Sequence, residues 1–432
     1  MGKKPAGSGS LAGAWSQRNG FGALRLLLAL AVIASHSFPL GFGRPNMGAA
    51  ATRGQTDVGT LAVCGFFVLS GLLITRSGRR LGVGRFLWHR ALRILPGLWC
   101  CLLVTALVVA PLVAWHEGRD LSAWWSRPDG PWSYLAANWT VTVHQYGIGG
   151  LLAGNPHPGA FNGSIWSLSY EVLAYLGVAL LAALGVLRRA RWVVLLLAMS
   201  GVALLTQQAV RYDGLRAPTY AAHGELFTLP VFGTGNTAQL VPLFFMFSLG
   251  ALAELFRERF PINRFAAGVA AGVLLLSLRL GGFTLVGLPA VAYLLIWSAV
   301  RMPTLLCRIG AKNDYSYGLY IYAFVAQQVL TDLGVSRWGY LPYFVLSTLC
   351  AMGAAVLSWY LVEAPALRLK NVLTPRRGEP VREPQPEEER RRSPRMRCTS
   401  SSPAGGQCSS AVLSCRAGGR GEAEGLVRSR PE

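Results

Sequence analysis

Charge is what this 432-residue chain has least of. Asp, Glu, Lys and Arg together make up 14% of it, against roughly 25% in an ordinary soluble domain. Lysine is nearly missing, four residues against 37 arginines, which points to a GC-rich coding sequence more than to any chemistry. Eight cysteines are present but none forms a CxxC or a metal-ligand spacing, so no metal site is expected and Cys64, Cys100, Cys101, Cys307 and Cys350 read as small buried hydrophobes. A cleavable signal is not expected either. The first apolar stretch, behind Lys3, Lys4 and Arg18, is too long and lacks a small-residue cleavage site.

What fills the chain is apolar: 52% hydrophobic residues and a mean hydropathy of +0.38. Long apolar runs separated by arginine clusters exclude a pair of soluble domains and predict an all-α polytopic membrane protein. Ten spans are expected near 22–40, 58–76, 94–114, 166–187, 192–209, 241–256, 265–280, 283–300, 316–333 and 341–362. They divide the chain into a cytoplasmic segment 1–20, a membrane domain 21–370 and a tail 371–432. That tail has mixed charge, much Pro and Gly and few apolar residues, and is expected to be disordered. With the N-terminus in the cytoplasm, the inner segments hold 20 Lys and Arg and the outer ones eight, which predicts both termini inside.

The net charge of +21 does not point to nucleic acid. After Lys370 the balance is +4, and the remaining +17 lies in short loops between spans, where membrane orientation accounts for it. The expected partner is the bilayer of the cell (plasma or inner) membrane. The outer segment 115–165 holds Trp115, Trp124, Trp125, Trp132 and Trp139 with Tyr134 and Tyr146. These suit an interfacial aromatic belt, a platform for sugar rings, or both.

Three groups of ionisable residues stand out because each costs roughly 2.5–3.5 kcal/mol at mid-bilayer. Arg25 and His36 share the first span. Eleven steps of 100° bring them to one helix face, about 16 Å apart along the axis, with Arg25 inside and His36 outside. Snorkelling and a structural histidine are the ordinary alternative. Arg90 and Arg93, in "RFLWHRALRILPGLW" (85–99), are spaced i, i+3 where a helix enters the membrane. Paired guanidinium groups clamp phosphate well, although positive-inside charge alone also accounts for loop arginines. Glu171, in "NGSIWSLSYE" (162–171), begins the fourth span near the outer surface. Topology places it level with His36, where it would orient or charge-stabilise the imidazole.

The ordered set Arg25-x10-His36, "FFVLSGLLI" (66–74), "FLWHRALRILPGLW" (86–99), "NGSIWSLSYE", "DYSYGLYIYAF" (314–324) and "LVEAPALRLK" (361–370) resembles the acyltransferase 3 family over residues 20–370. The resemblance implies an integral-membrane O-acyltransferase with no bound cofactor. Its co-substrate would be cytoplasmic acyl-CoA, usually acetyl-CoA, and its acceptor a hydroxyl of a surface glycan or a glycosylated small molecule. It maps functional roles onto Arg25, His36, Arg90, Arg93 and Glu171, and places Glu363 beside the cytoplasmic arginines. Only the first acid of the family's acidic run is present, since Val172 follows Glu171. His89 stands where a basic residue is common, and Ala323-Phe324 replaces a frequent His-Phe.

These residues suggest a division of labour. Anionic donor docks at Arg90, Arg93 and Arg25, and His36 acts as general base or takes the acyl group itself. The rival reading is a transporter or flippase of a lipid-linked or small polar molecule, since many spans with polar groups at mid-depth suit that task. No inverted repeat is visible to favour it.

Overall fold

The computed structural model describes residues 9–372 except 16–18, 123, 213, 221–223 and 230–232. From residue 373 onward the tail expected to be disordered lies outside the described residues.

Among the described residues, ten long helices follow one another where the apolar runs predict them. They are α1 (Phe21–Phe42), α2 (Val58–Arg80), α3 (Val83–His116), α4 (Trp166–Ala183), α5 (Trp192–Tyr212), α6 (Thr237–Leu255), α7 (Arg264–Leu280), α8 (Phe283–Arg301), α9 (Ser316–Asp332) and α10 (Tyr340–Asn371). Eight are both long and apolar enough to cross a membrane. The other two, α7 and α9, have 17 residues each, the lower limit for spanning a hydrocarbon core of roughly 30 Å.

Residues 76–93, read from the sequence as a loop, are almost wholly helical. Only Leu81 and Gly82 separate α2 from α3. Arginine is a good helix former, so a basic run between two spans extends the helices instead of ending them. The 34 residues of α3 measure about 51 Å, well beyond the apolar core, and its first turns carry His89, Arg90 and Arg93.

Three helices contain a wide π turn, at Thr105–Val109 in α3, Phe283–Gly287 in α8 and Trp359–Glu363 in α10. Each is followed two residues later by a proline: Pro111, Pro289 and Pro365. Proline offers no N–H and crowds the carbonyl four residues before it, and a widened turn relieves that clash without ending the helix. In α10 the wide turn ends on Glu363, a residue of the site.

An antiparallel hairpin joins α5 to α6, an addition to the all-α expectation. Strand β1 (Leu226–Leu229) pairs with β2 (Gly233–Asn236), with Leu226 opposite Asn236. Four-residue strands are too short for alternation to separate them from a loop in the sequence. Asn236 closes the hairpin and then caps α6, its Oδ1 accepting the Ala238 amide at 2.8 Å.

Helices α2 and α9 lie at the centre. A Cβ on Gly71 of α2 would collide with the Phe247 carbonyl of α6, and one on Gly250 of α6 with the Val68 carbonyl. These glycines let two backbones meet directly, as small residues do between membrane helices. At the periphery, α5 and α7 expose Leu195, Leu196, Leu197, Leu275 and Leu276, an apolar coat that lipid satisfies and water would not.

Candidate active site

Helix α1 runs without a break to Gly43, whose φ of 62° places it in the left-handed conformation that closes a helix. Arg25 and His36 therefore sit on one rigid element, at its two ends.

At the Arg25 end lies a partly open cavity lined by Arg25, Arg90, Arg93, Glu171, Tyr175 and Asp314, among others. Its organising group is Asp314, which precedes α9. One carboxylate oxygen receives Arg25 Nη1 at 3.2 Å and Arg93 Nη2 at 2.6 Å. The other accepts the Ser316 hydroxyl and its amide at the start of α9. Burial alone would raise the Asp314 carboxyl, but Arg93 and Arg25 outweigh it and hold the group below the usual carboxylate range.

The two arginines of α3 are not equivalent. Arg93 is engaged on both sides. Its Nη1 lies 3.6 Å from Glu363, and its guanidinium lies 5.6 Å and 5.8 Å from the Tyr317 and Trp359 ring centres. The expected pairing of Glu363 with the arginine cluster is thus present. Arg90 has no carboxylate partner among the described residues, and its Nε is buried without a hydrogen bond. It faces the Tyr175 ring at 5.9 Å. His89 lines no part of the cavity and contacts the Lys370 carbonyl at 3.2 Å, while Trp88 donates to the Leu369 carbonyl. Both tie α3 to the end of α10.

Glu171 stands with the arginines and not with His36, contrary to the expectation from topology. Its Oε1 accepts from Ser70 at 3.2 Å and from Tyr175 at 2.5 Å. Ser35, the neighbour of His36, packs against Gly59 at the start of α2. From Gly59 to Ser70 is eleven residues, about 16 Å along α2. Glu171 begins deeper than its place in the sequence implies because α4 and α2 are offset along their axes.

The acid beside His36 is Asp57, the N-cap of α2. It accepts the Thr60 amide at 3.0 Å, the Thr60 hydroxyl at 2.7 Å and the Ser35 hydroxyl at 3.2 Å. Asp57 and His157 are the titratable neighbours of His36. His36 and His157 meet the same ring, Phe324, edge-on at 5.8 Å and 5.9 Å. Neither nitrogen of His36 has a hydrogen bond among the described residues, so both remain available for bonding. His157 lies in the segment between α3 and α4. Nothing in the sequence signals that the loop folds back onto α9.

Between the arginine cavity and His36 lies Tyr320, one helical turn before Phe324 on α9. Its hydroxyl bonds Ser167 Oγ at 2.7 Å and the Ser164 carbonyl at 2.8 Å, and its ring meets Phe66. The Trp-rich segment splits in two: Trp124 and Tyr134 are core residues, whereas Trp115, Trp132 and Trp139 are exposed, as a belt requires.

The chain matches the acyltransferase domain family over residues 18–360. It is 26% identical over 356 residues to the O-acetyl transferase of Shigella phage Sf6, an alignment covering 80% of this chain and 95% of that protein. Nodulation protein 10 of Rhizobium leguminosarum bv. viciae is also 26% identical, over 393 residues, 83% of this chain and 96% of its own length. No solved structure gives a significant match.

Proposed function

Since the chain belongs to the acyltransferase 3 family and is a membrane O-acyltransferase, we propose that it moves an acetyl group from cytoplasmic acetyl-CoA to a glycan hydroxyl on the other side of the plasma membrane. The observation that carries this reading is the pairing, on one helix, of a cation-lined cavity with a hydrogen-bond-free histidine about 16 Å away. The phosphates of CoA suit Arg90, whose guanidinium has no carboxylate partner. Arg25 adds charge at the same opening, and Arg93, held by Asp314 and Glu363, shapes the wall. The thioester on its pantetheine arm then reaches towards His36. There His36 takes the proton of the acceptor hydroxyl, the oxygen attacks the thioester carbonyl, and the C–S bond breaks. The thiolate leaves with the proton that His36 returns. Tyr320 stands on the path between the two ends, so its bond to Ser167 opens for the arm to pass.

Purified protein given acetyl-CoA should release CoA and acetylate its acceptor, which a transporter does not do. Arg90→Ala is expected to raise KM for acetyl-CoA at least tenfold and leave the acceptor KM unchanged. An unaltered donor KM would reduce Arg90 to an orientation signal.

The proposed topology has both termini and the Leu81–Gly82 turn in the cytoplasm. With native cysteines replaced by alanine, Arg80→Cys should resist an impermeant maleimide in intact cells, and Trp125→Cys should label. Labelling at position 80 would invert the arrangement.

A further inference from the structure

A second, partly open cavity lies between the hairpin and the first turns of α4 and α6. Its walls include Tyr146, Trp166, Tyr170, Thr234, Asn236 and Gln239, and among the described residues no charged side chain lines it. It belongs to the His36 end of the bundle. The Trp166 ring packs edge-on against Tyr220 at 5.9 Å. The Tyr220 hydroxyl in turn lies 3.9 Å from Cys64 in α2, and Asp57, the acid beside His36, is its charged neighbour.

The two side-chain amides of this cavity are arranged with their acceptors occupied and their donors spare. Gln239 Oε1 accepts from the Tyr170 hydroxyl at 3.1 Å, and the Tyr170 hydroxyl accepts the Asn236 amide at 2.9 Å. Asn236 Oδ1 is used in capping α6. Among the described residues, neither side-chain NH2 group, Asn236 Nδ2 or Gln239 Nε2, has a protein partner. Two amide donors three residues apart, their orientation locked by these bonds, suit adjacent oxygens of one ligand. Three aromatic rings supply flat apolar faces beside them. An anionic ligand would find no cation among the described residues here, and an apolar one would leave the amides unsatisfied.

We propose that this cavity holds the acceptor, an uncharged sugar ring stacked on the aromatic wall and held by Asn236 and Gln239, with a hydroxyl presented towards His36. The proposal rests on the O-acyltransferase reading and adds the place and charge of the acceptor. None of the five residues mapped onto the family's functional set, Arg25, His36, Arg90, Arg93 and Glu171, lines the cavity.

The test uses the full chain in nanodiscs and saturation-transfer NMR with maltotetraose, chitotetraose, mannotetraose and the acidic tetragalacturonate. At least one neutral tetrasaccharide should receive saturation and tetragalacturonate should not. Gln239→Glu keeps the acceptor for Tyr170 and removes the donor. It should weaken the saccharide at least tenfold, as should Tyr146→Ala, with acetyl-CoA binding unchanged. The cavity assignment is overturned if no neutral tetrasaccharide binds, if the acidic one binds as well, or if both variants bind like the parent. Failure of the acyltransferase reading looks different: the parent then binds saccharide but releases no CoA from acetyl-CoA, and the acceptor role falls with it.

Discussion

His36→Gln is expected to yield folded, inserted protein with transfer reduced by at least a hundredfold. Loss of a general base typically costs 10²–10⁴ in rate, and glutamine retains hydrogen-bonding capacity without basicity near neutral pH. Folding should survive because His36 makes no hydrogen bond among the described residues, and its principal ring contact is one edge of Phe324. Melting temperature therefore stays near that of the parent, which separates chemistry from stability. His157 is the necessary control, since it shares Phe324 with His36. Its backbone carbonyl, not its ring, holds Gln328 at 2.7 Å, so His157→Gln preserves that bond and should keep activity within about tenfold. More than a tenth of the rate surviving in His36→Gln would remove it from the chemistry, because that loss lies below the general-base range. If His157→Gln is the inactive variant instead, the base belongs to the loop.

The spans were legible because apolar runs of about 20 residues have few other uses, and the face shared by Arg25 and His36 follows from helix geometry alone. The pairing of Glu363 with an arginine was also legible, since both fall at the same end of neighbouring spans. What the sequence concealed is axial offset between helices. Topology says which end of a span is outside but not how deep each helix starts, and an error of about 16 Å moved Glu171 from the arginine cavity to His36. Asp57 and Asp314 escaped notice for a related reason. Each lies at the start of a helix, where an acid is ordinary, and only the folded chain brings Ser35 to one and two arginines to the other. The signals existed as capping patterns, Asp57-x-x-Thr60 and Asp314-x-Ser316, but such patterns carry no information about what else the carboxylate holds. The cavity beside the hairpin was hidden in the same way, its wall made partly by strands too short to read.

Asp314→Asn is expected to be the most destabilising single change at the site. The amide keeps the shape and the link to Ser316, but the guanidinium groups of Arg25 and Arg93, which now meet on one carboxylate oxygen, are left facing each other. Two like charges about 6 Å apart cost about 3 kcal/mol at an effective dielectric of 20, comparable with breaking a buried ion pair. Glu363, at 3.6 Å from Arg93, offsets only part of this. The variant should melt well below the parent, and adding Arg25→Gln should recover part of the loss, because it removes one of the opposed charges. Acid supplies an independent reading. The Asp314 carboxyl is held below its ordinary value in the folded protein, so its contribution is fully present above that ordinary value and is lost as pH falls through the folded one. The difference in melting temperature between parent and Asp314→Asn should therefore be constant near neutral pH and shrink below the ordinary carboxylate range. A gap that persists unchanged into acid, or a double variant no more stable than Asp314→Asn alone, would mean that the carboxylate's charge is not what holds the two arginines.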